Sequence, residues 1–245
     1  MDNKNRTNII LDIFQEICKI PHPSGHEEAI GEYLMEFAKQ HNLKAKQDKV
    51  GNVLICKPAS LGYEDRPTVI LQSHQDMVCE KDATLDHDFM TQPLETYIED
   101  GWLKAKGTTL GADDGIGVAM TLAILADNEI KHGPIEALFT VSEETGLAGA
   151  SNLEKDMING SMLINLDSED EGEIFIGCAG GINSTIEFNY SKENVPDNYF
   201  FIKLSVDRLH GGHSGDDIDK GFANANKILA RFIYNSLKKY DIKLC

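Results

Sequence analysis

Acidic side chains and one histidine follow directly after three apolar runs that are typical of buried β-strands. These residues are His74-Gln75-Asp76 after Thr68 to Ser73, Ser142-Glu143-Glu144 after Ile135 to Val141, and Asp167 after Met162 to Leu166. A fourth acidic element, Asp113-Asp114, joins a glycine-rich loop to an apolar helical pattern. Because ligands of open α/β sheets bind at the carboxyl ends of the strands, we expect these side chains to lie together.

Carboxylates gathered in one crevice require a counter-charge, since an unpaired buried charge costs several kcal/mol. No Arg or Lys is adjacent to any of the four acidic elements. One or two divalent cations would supply the missing charge. One imidazole with several carboxylates suits Zn²⁺, Mn²⁺ or Co²⁺ better than an all-oxygen Ca²⁺ site. The pattern therefore predicts a metal centre.

Each element, taken alone, also has a simpler interpretation. These are a hydrogen-bonded pair for His74 and Asp76, a helix cap for Asp114, and a solvated charge pair for Glu143 and Glu144. Asp167 could simply begin the acidic run that ends at Glu171. The repetition of the pattern at four positions favours the shared metal centre.

The composition narrows the class of protein. The chain has 245 residues, a hydrophobic fraction of 41% and a net charge of −17. This acidic balance argues against a nucleic-acid partner, and no apolar run approaches the ~18–20 residues that cross a bilayer. The five cysteines are scattered without a C-x-x-C pair, which favours free thiols in a reducing compartment. We expect a soluble, cytoplasmic protein without a membrane partner.

Hydrophobic periodicity predicts the elements that would position the acidic residues. Strands interleaved with helices indicate an α/β sandwich. The predicted helices lie around Ile10 to Ile17, after a Ser24/Glu27 capping box, over Gly115 to Ala126, and over Ala225 to Ile233. The predicted hairpins turn at Gly51-Asn52 and Asp100-Gly101, and two further strands are predicted over Ile182 to Tyr190 and Phe200 to Val206.

A polar stretch from Ser191 to Asn198, which contains Pro196, is the best candidate for a domain boundary. It divides the chain into residues 1–190 and 191–245. The second part is too short to form a self-sufficient domain.

Five stretches of the sequence resemble the M20 metallopeptidases, in the branch of the aminoacyl-histidine dipeptidases (Xaa-His dipeptidases, carnosinase-like, peptidase D). These stretches are Gln72 to Val78, Gly107 to Gly117, Ser142 to Gly146, Asn165 to Glu169 and Gly211 to Gly215. The resemblance extends over essentially the whole chain. It implies an α/β three-layer sandwich of the dinuclear zinc peptidase type, followed by the start of an α+β lid or dimerisation domain.

The resemblance also implies a role for each acidic residue and two divalent metal ions, Zn²⁺ first, with Co²⁺ or Mn²⁺ as alternatives. His74 and Asp167 would bind one metal, Glu144 would bind the other, and Asp113 would bridge both. Asp76 would orient His74, and Glu143 would be the general base. These roles fit the chemistry, because a ligating histidine needs an acceptor on its second nitrogen and a neighbouring non-ligating carboxylate can take a proton.

Two further expectations come from the same resemblance. The Asp113–Asp114 peptide bond would be cis. His213 would help to hold the substrate or the developing oxyanion, in a lid through which a homodimer could form.

The implied reaction is hydrolysis of the peptide bond of an unmodified Xaa-His dipeptide. Members of the family are considerably longer, so we expect an N-terminal portion that lacks a later histidine ligand. One alternative is a non-catalytic remnant with partial metal binding, which an activity assay would distinguish. Another is a related M20 enzyme such as a tripeptidase or an amino-acid deacylase; the stretches Gly107 to Gly117 and Gly211 to Lys227 favour the dipeptidase branch.

Overall fold

The computed structural model of the chain describes residues 3–168, 172–178, 180, 182, 184–212 and 217–243. The chain divides into two units, Met1–Ile176 and Gly177–Cys245. The acidic elements all lie in the first unit. The predicted boundary between residues 190 and 191 lies within the second unit, and the division into two functional domains stays a prediction.

A five-stranded mixed sheet forms the centre of the first unit. Its strands are β1 (Lys44–Gln47), β2 (Val53–Lys57), β3 (Val69–His74), β6 (Ile135–Thr140) and β7 (Met162–Asn165), in the order β1-β2-β6-β3-β7. Strands β1, β2 and β6 pair antiparallel, whereas β6, β3 and β7 pair parallel. The remaining strands, β4 (Thr96–Glu99) and β5 (Trp102–Ala105), form a separate hairpin. The three strands that precede acidic residues are therefore neighbours, and their carboxyl ends point to the same side of the sheet.

Helices cover both faces of this sheet. On one face, α1 (Asn3–Ile17), α2 (Glu28–Gln40) and α3 (Ala112–Ala126) pack in one apolar core. On the other face, α4 (Ala148–Ser151) leads into a segment that contributes Met157 to a smaller core. The side chains of β2 alternate between these cores, because successive strand residues point to opposite faces. The predicted three-layer α/β architecture is confirmed for this unit.

The second unit contains α5 (Ala225–Leu237) and a short 3₁₀ turn (Ile218–Lys220). The predicted strands over Ile182 to Tyr190 and Phe200 to Val206 are wrong, since none of their described residues belongs to a strand. Ile186 and Phe200 are 73% and 79% exposed. A strand needs a neighbour to bond its backbone groups, and the described part of this unit contains no paired strand.

Two local expectations for the first unit also need correction. Strand β7 forms, but it lies at the edge of the sheet and its apolar side chains are about half exposed, with Leu163 at 51%. The predicted capping box is wrong as well: α2 begins at Glu28, and its N-cap residue Glu27 makes no capping hydrogen bond through its side chain. Ser24 binds Asp76, and Glu27 binds Ser142 as well as the nearby Gly25 N–H. In the described ranges, none of the helices has the length and apolarity that crossing a membrane requires.

Candidate metal centre

The carboxyl ends of the three parallel strands bring the acidic elements around one imidazole. His74, the last residue of β3, is 1% exposed. Its Nε2 atom lies 2.9 Å from Asp113 Oδ1, 3.8 Å from Asp167 Oδ2 and 4.0 Å from Glu143 Oε2. The predicted convergence of these side chains is confirmed. The reason is the parallel pairing of β6, β3 and β7, which places residues distant in sequence together at the carboxyl ends of these strands.

The other nitrogen of the ring faces Asp76. His74 Nδ1 lies 2.9 Å from the backbone oxygen of Asp76 and 3.4 Å from its carboxylate Oδ1. Asp76 is thus placed to orient the ring, through its backbone as well as its side chain. An acceptor at Nδ1 leaves Nε2 directed at the other carboxylates.

The Asp76 carboxylate also accepts hydrogen bonds that the sequence did not indicate. The backbone N–H groups of Glu143 and Glu144 donate to it at 2.9 and 3.2 Å, and the Ser24 hydroxyl donates at 2.7 Å. No local pattern could have revealed these contacts, because the partners lie 52 to 68 residues away. Asp76 therefore links the end of β3 to the loop after β6.

The start of α3 directs two adjacent carboxylates to different partners. Asp113 and Asp114 depart from helical φ and ψ, and the peptide bond between them is cis, as the family resemblance implies. Asp113 contacts His74 Nε2, whereas Asp114 is 1% exposed and accepts from the His74 backbone N–H at 3.2 Å. The N-cap residue of α3 is Gly111, without a capping hydrogen bond from its side chain, so the helix-cap interpretation of Asp114 stays a prediction.

The pKa values of four groups in this cluster are raised above their ordinary values. Burial lowers the pKa of His74, but hydrogen bonds to Asp113 and Asp76 outweigh burial and raise it to about 11. Burial, together with a hydrogen bond to Asp113, raises the pKa of Asp167 to about 8. Burial raises the pKa of Asp114 to about 7, and burial with the nearby charge of Asp113 raises that of Glu144.

Asp76 is the exception among these carboxyl groups. Burial alone would raise its pKa, but hydrogen bonds from His74, Ser24 and the Glu143 backbone lower it to about 2. This low pKa favours the ionised form of Asp76 beside the ring. The raised pKa values of Asp167, Asp114 and Glu144 come first from burial and then from neighbouring negative charge, and a divalent cation would relieve that charge.

Two groups of donor atoms in this cluster have the spacing of a metal site. One contains His74, Asp113 and Asp167, and the other contains His74, Glu143 and Glu144, with the donor atoms of each group within 4.8 Å of one another. Imidazole nitrogen and carboxylate oxygen are donors that Zn²⁺ and Mn²⁺ accept, so the residues fit a divalent cation. The first group is the set that the resemblance assigns to one metal. His213 lies outside the described residues.

The chain is similar to proteins of a known family. The family model for peptidase family M20/M25/M40 matches residues 70–196, the part of the chain that contains the whole cluster. The chain is 48% identical over 235 residues to the cytosol non-specific dipeptidase of Escherichia coli K12. This match covers 96% of this chain and 48% of that protein.

Solved structures agree with the sequence comparison. The aminoacylhistidine dipeptidase of Vibrio alginolyticus superposes with a TM-score of 0.69 at 41% identity, over 96% of this chain and 48% of that one. A tripeptidase of Staphylococcus aureus superposes with a TM-score of 0.57 at 27% identity, over 66% of this chain and 44% of that one. The chain thus spans about half the length of the relatives it matches. By the family match and the shared architecture, it belongs to the M20/M25/M40 family of peptidases.

Proposed function

We propose that this chain carries the metal-binding part of a dipeptidase that hydrolyses the peptide bond of unmodified dipeptides of the Xaa-His type. The observation that carries the proposal is the group of carboxylates around the buried His74 at the carboxyl ends of three parallel strands. Both dipeptidase relatives, which match 96% of the chain, support a dipeptide substrate, and the name of the Vibrio alginolyticus enzyme supports the Xaa-His type.

The proposed cofactor is a pair of divalent cations, Zn²⁺ first, with Co²⁺ or Mn²⁺ as alternatives. His74 and Asp167 would hold one cation, Glu144 the other, and Asp113 would be shared. When bound, such cations polarise a carbonyl group and lower the pKa of water. The 2.9 Å contact between His74 Nε2 and Asp113 Oδ1 supports the first set, because it already brings two possible ligand atoms together.

Glu143 is the proposed general base. Its side chain is 30% exposed and its carboxylate lies 4.0 Å from His74 Nε2, so it contacts both the cluster and the solvent. It would take the proton of the attacking water and return it to the leaving amine. Asp76, which accepts from the Glu143 N–H, would hold the base as well as the histidine ring.

Further parts of the proposal concern the rest of the protein. We propose a cytoplasmic location, supported by the cytosolic name of the Escherichia coli relative, and no nucleic-acid or membrane partner, supported by the charge of −17. Residues 1–190 would belong to the catalytic domain and residues 191–245 to a lid through which homodimers form. His213 would contact the substrate from that lid.

A second candidate is partial metal binding without turnover. It is favoured by the fact that His74 is the one imidazole shared by both donor groups found in the described residues. A single histidine supports one cation more readily than two.

Paired substitutions of the adjacent glutamates test the proposal. Glu143→Gln should abolish hydrolysis of an Xaa-His dipeptide such as carnosine while metal content stays nearly intact, because it removes a base and not a ligand. Glu144→Gln should also lower the metal content measured by elemental analysis. The matched control is Glu154→Gln, an exposed glutamate whose described ion pair is with Lys49.

The outcomes separate the candidates. Equal metal loss in the Glu143 and Glu144 variants would refute the division of roles. Metal bound by the unmodified protein without hydrolysis would favour the second candidate. No bound metal would contradict both.

A further inference from the structure

Two side chains just before α2 bind the loops of the candidate metal centre and do not cap their own helix. The spacing of Ser24 and Glu27 is that of a capping box, which usually stabilises a helix by about 1 kcal/mol. In the structure, Ser24 donates instead to Asp76, and Glu27 accepts from Ser142, 115 residues away in the sequence. A local rule that is broken in favour of distant contacts indicates a role in the site.

The Glu27 carboxylate is buried and concentrates its contacts on one oxygen. Glu27 is 8% exposed, and its Oε1 accepts from the Ser142 N–H, the Ser142 hydroxyl and the Gly25 N–H, each at 2.9 Å. Hydrogen bonds to an ionised carboxylate are roughly twice as strong as neutral ones. Glu27 therefore ties the start of α2 firmly to the residue that precedes Glu143.

The backbone at Ser142 needs such support. Its φ is +52°, in the left-handed region that non-glycine residues rarely adopt. Ser142 is also the first of three successive residues whose N–H groups are bound by carboxylates: Glu27 binds that of Ser142, and Asp76 binds those of Glu143 and Glu144. Two buried acidic side chains from distant segments thus hold the backbone of the whole turn.

We infer that Glu27 is a positioning residue for the candidate metal centre. Its carboxylate holds Ser142 in the conformation that directs the side chains of Glu143 and Glu144 toward His74. The inference rests on the proposed function, since the importance of this turn depends on Glu143 and Glu144 acting at a metal.

Three substitutions test the acceptor role of Glu27. Glu27→Met keeps the length of the side chain and removes the acceptor, whereas Glu27→Gln keeps an oxygen that can accept at the same place. Glu28→Gln is the matched control, because Glu28 is the next residue, carries the same charge and is exposed. The chain itself is titrated with Co²⁺ and followed by visible absorption, and amide hydrogen exchange is measured at residues 142–144.

The expected result is graded. Glu27→Met should weaken Co²⁺ binding at least tenfold and change the absorption band, as loss of a residue that supports a ligand typically does. The same variant should speed exchange of the Ser142 amide about tenfold, because it removes the acceptor of that N–H. Glu27→Gln should keep most of the Co²⁺ affinity and most of the protection of the Ser142 amide, and Glu28→Gln should match the unmodified protein.

Several results would overturn the inference. A folded Glu27→Met variant with unchanged Co²⁺ affinity would do so, and so would a Glu27→Gln variant as impaired as Glu27→Met, since that would exclude the acceptor role. If Glu27→Met fails to fold, Ser142→Ala removes one of the same hydrogen bonds, and unchanged Co²⁺ binding there is equally contradictory. Failure of the unmodified protein to bind Co²⁺ would refute the proposed function itself, whereas the variants refute only the positioning role.

Discussion

Replacing Asn52 by alanine should destabilise the first unit by about 3–5 kcal/mol, because this fully buried side chain makes three hydrogen bonds. Its Nδ2 donates to Asp48 Oδ2 at 2.8 Å and to the Gly149 oxygen at 2.9 Å. Its Oδ1 accepts from the Val141 N–H at 3.1 Å. Asn52 thus joins the β1–β2 turn to the end of β6, directly before the loop that carries Glu143.

The magnitude follows from the partners. The bond to the Asp48 carboxylate contributes about 1.5–3 kcal/mol, and the two bonds to backbone groups contribute about 1 kcal/mol each. Alanine leaves the Gly149 oxygen and the Val141 N–H buried with one partner fewer. A loss of this size is a large fraction of the ~5–15 kcal/mol by which domains are stable.

Urea denaturation followed by far-UV circular dichroism measures this loss as a fall in the transition midpoint at constant slope. Asn152→Ala is the control, because it removes a single exposed hydrogen bond to the Ala148 oxygen and should change stability by less than about 0.5 kcal/mol. Asn52→Asp should be at least as damaging as Asn52→Ala at neutral pH, since a carboxylate oxygen would face Asp48 Oδ2 and the Gly149 oxygen. A loss below about 1 kcal/mol for Asn52→Ala would refute this account of the turn.

Three further outcomes are expected. Gly149→Ala should cost about 1–3 kcal/mol in the same urea assay, because an added Cβ would lie 2.4 Å from Asn52 Oδ1 and 2.5 Å from the Val141 oxygen; an unchanged midpoint would contradict this. Although burial alone would raise it, hydrogen bonds from the Asn159 and Gly160 N–H groups lower the pKa of Glu136, so its ionised form stabilises the fold. The stability difference between the unmodified protein and Glu136→Gln should therefore be constant above the unfolded pKa of about 4.5 and shrink as pH falls below it, whereas a difference that grows on acidification would reverse the sign. Added Zn²⁺ at 100 times its dissociation constant should raise the stability of the first unit by about 2.7 kcal/mol, and EDTA should remove the gain; equal stability with and without Zn²⁺ would count against the metal centre.

In the first unit, the helices and strands predicted from hydrophobic periodicity and turn residues were correct. The apolar face of α1 repeats with the period of a helix, and the Gly51-Asn52 turn connects β1 and β2 where the sequence places it. The acidic residues were also identified correctly as a converging set, because a buried parallel strand has one carboxyl end and its direction follows from the chain.

Long-range contacts were the part that local patterns misjudged. Ser24 and Glu27 match a capping box in sequence, yet their side chains bind residues 52 and 115 positions away. Strand β7 has the apolar composition of a buried strand, yet it lies at the edge of the sheet. Periodicity reports which face of an element is apolar, but it does not report which element covers that face.

The sequence by itself determined the types of the donor groups, their places at strand ends and the alternation of helix and strand, since each depends on neighbours only a few residues apart. The tertiary structure alone decided that Asp76 and Glu27 hold the backbone of Ser142 to Glu144. It also decided that Asn52 joins Asp48 to Gly149. These contacts depend on how the strands are ordered in the sheet, and that order results from the packing of the whole core and not from any single segment.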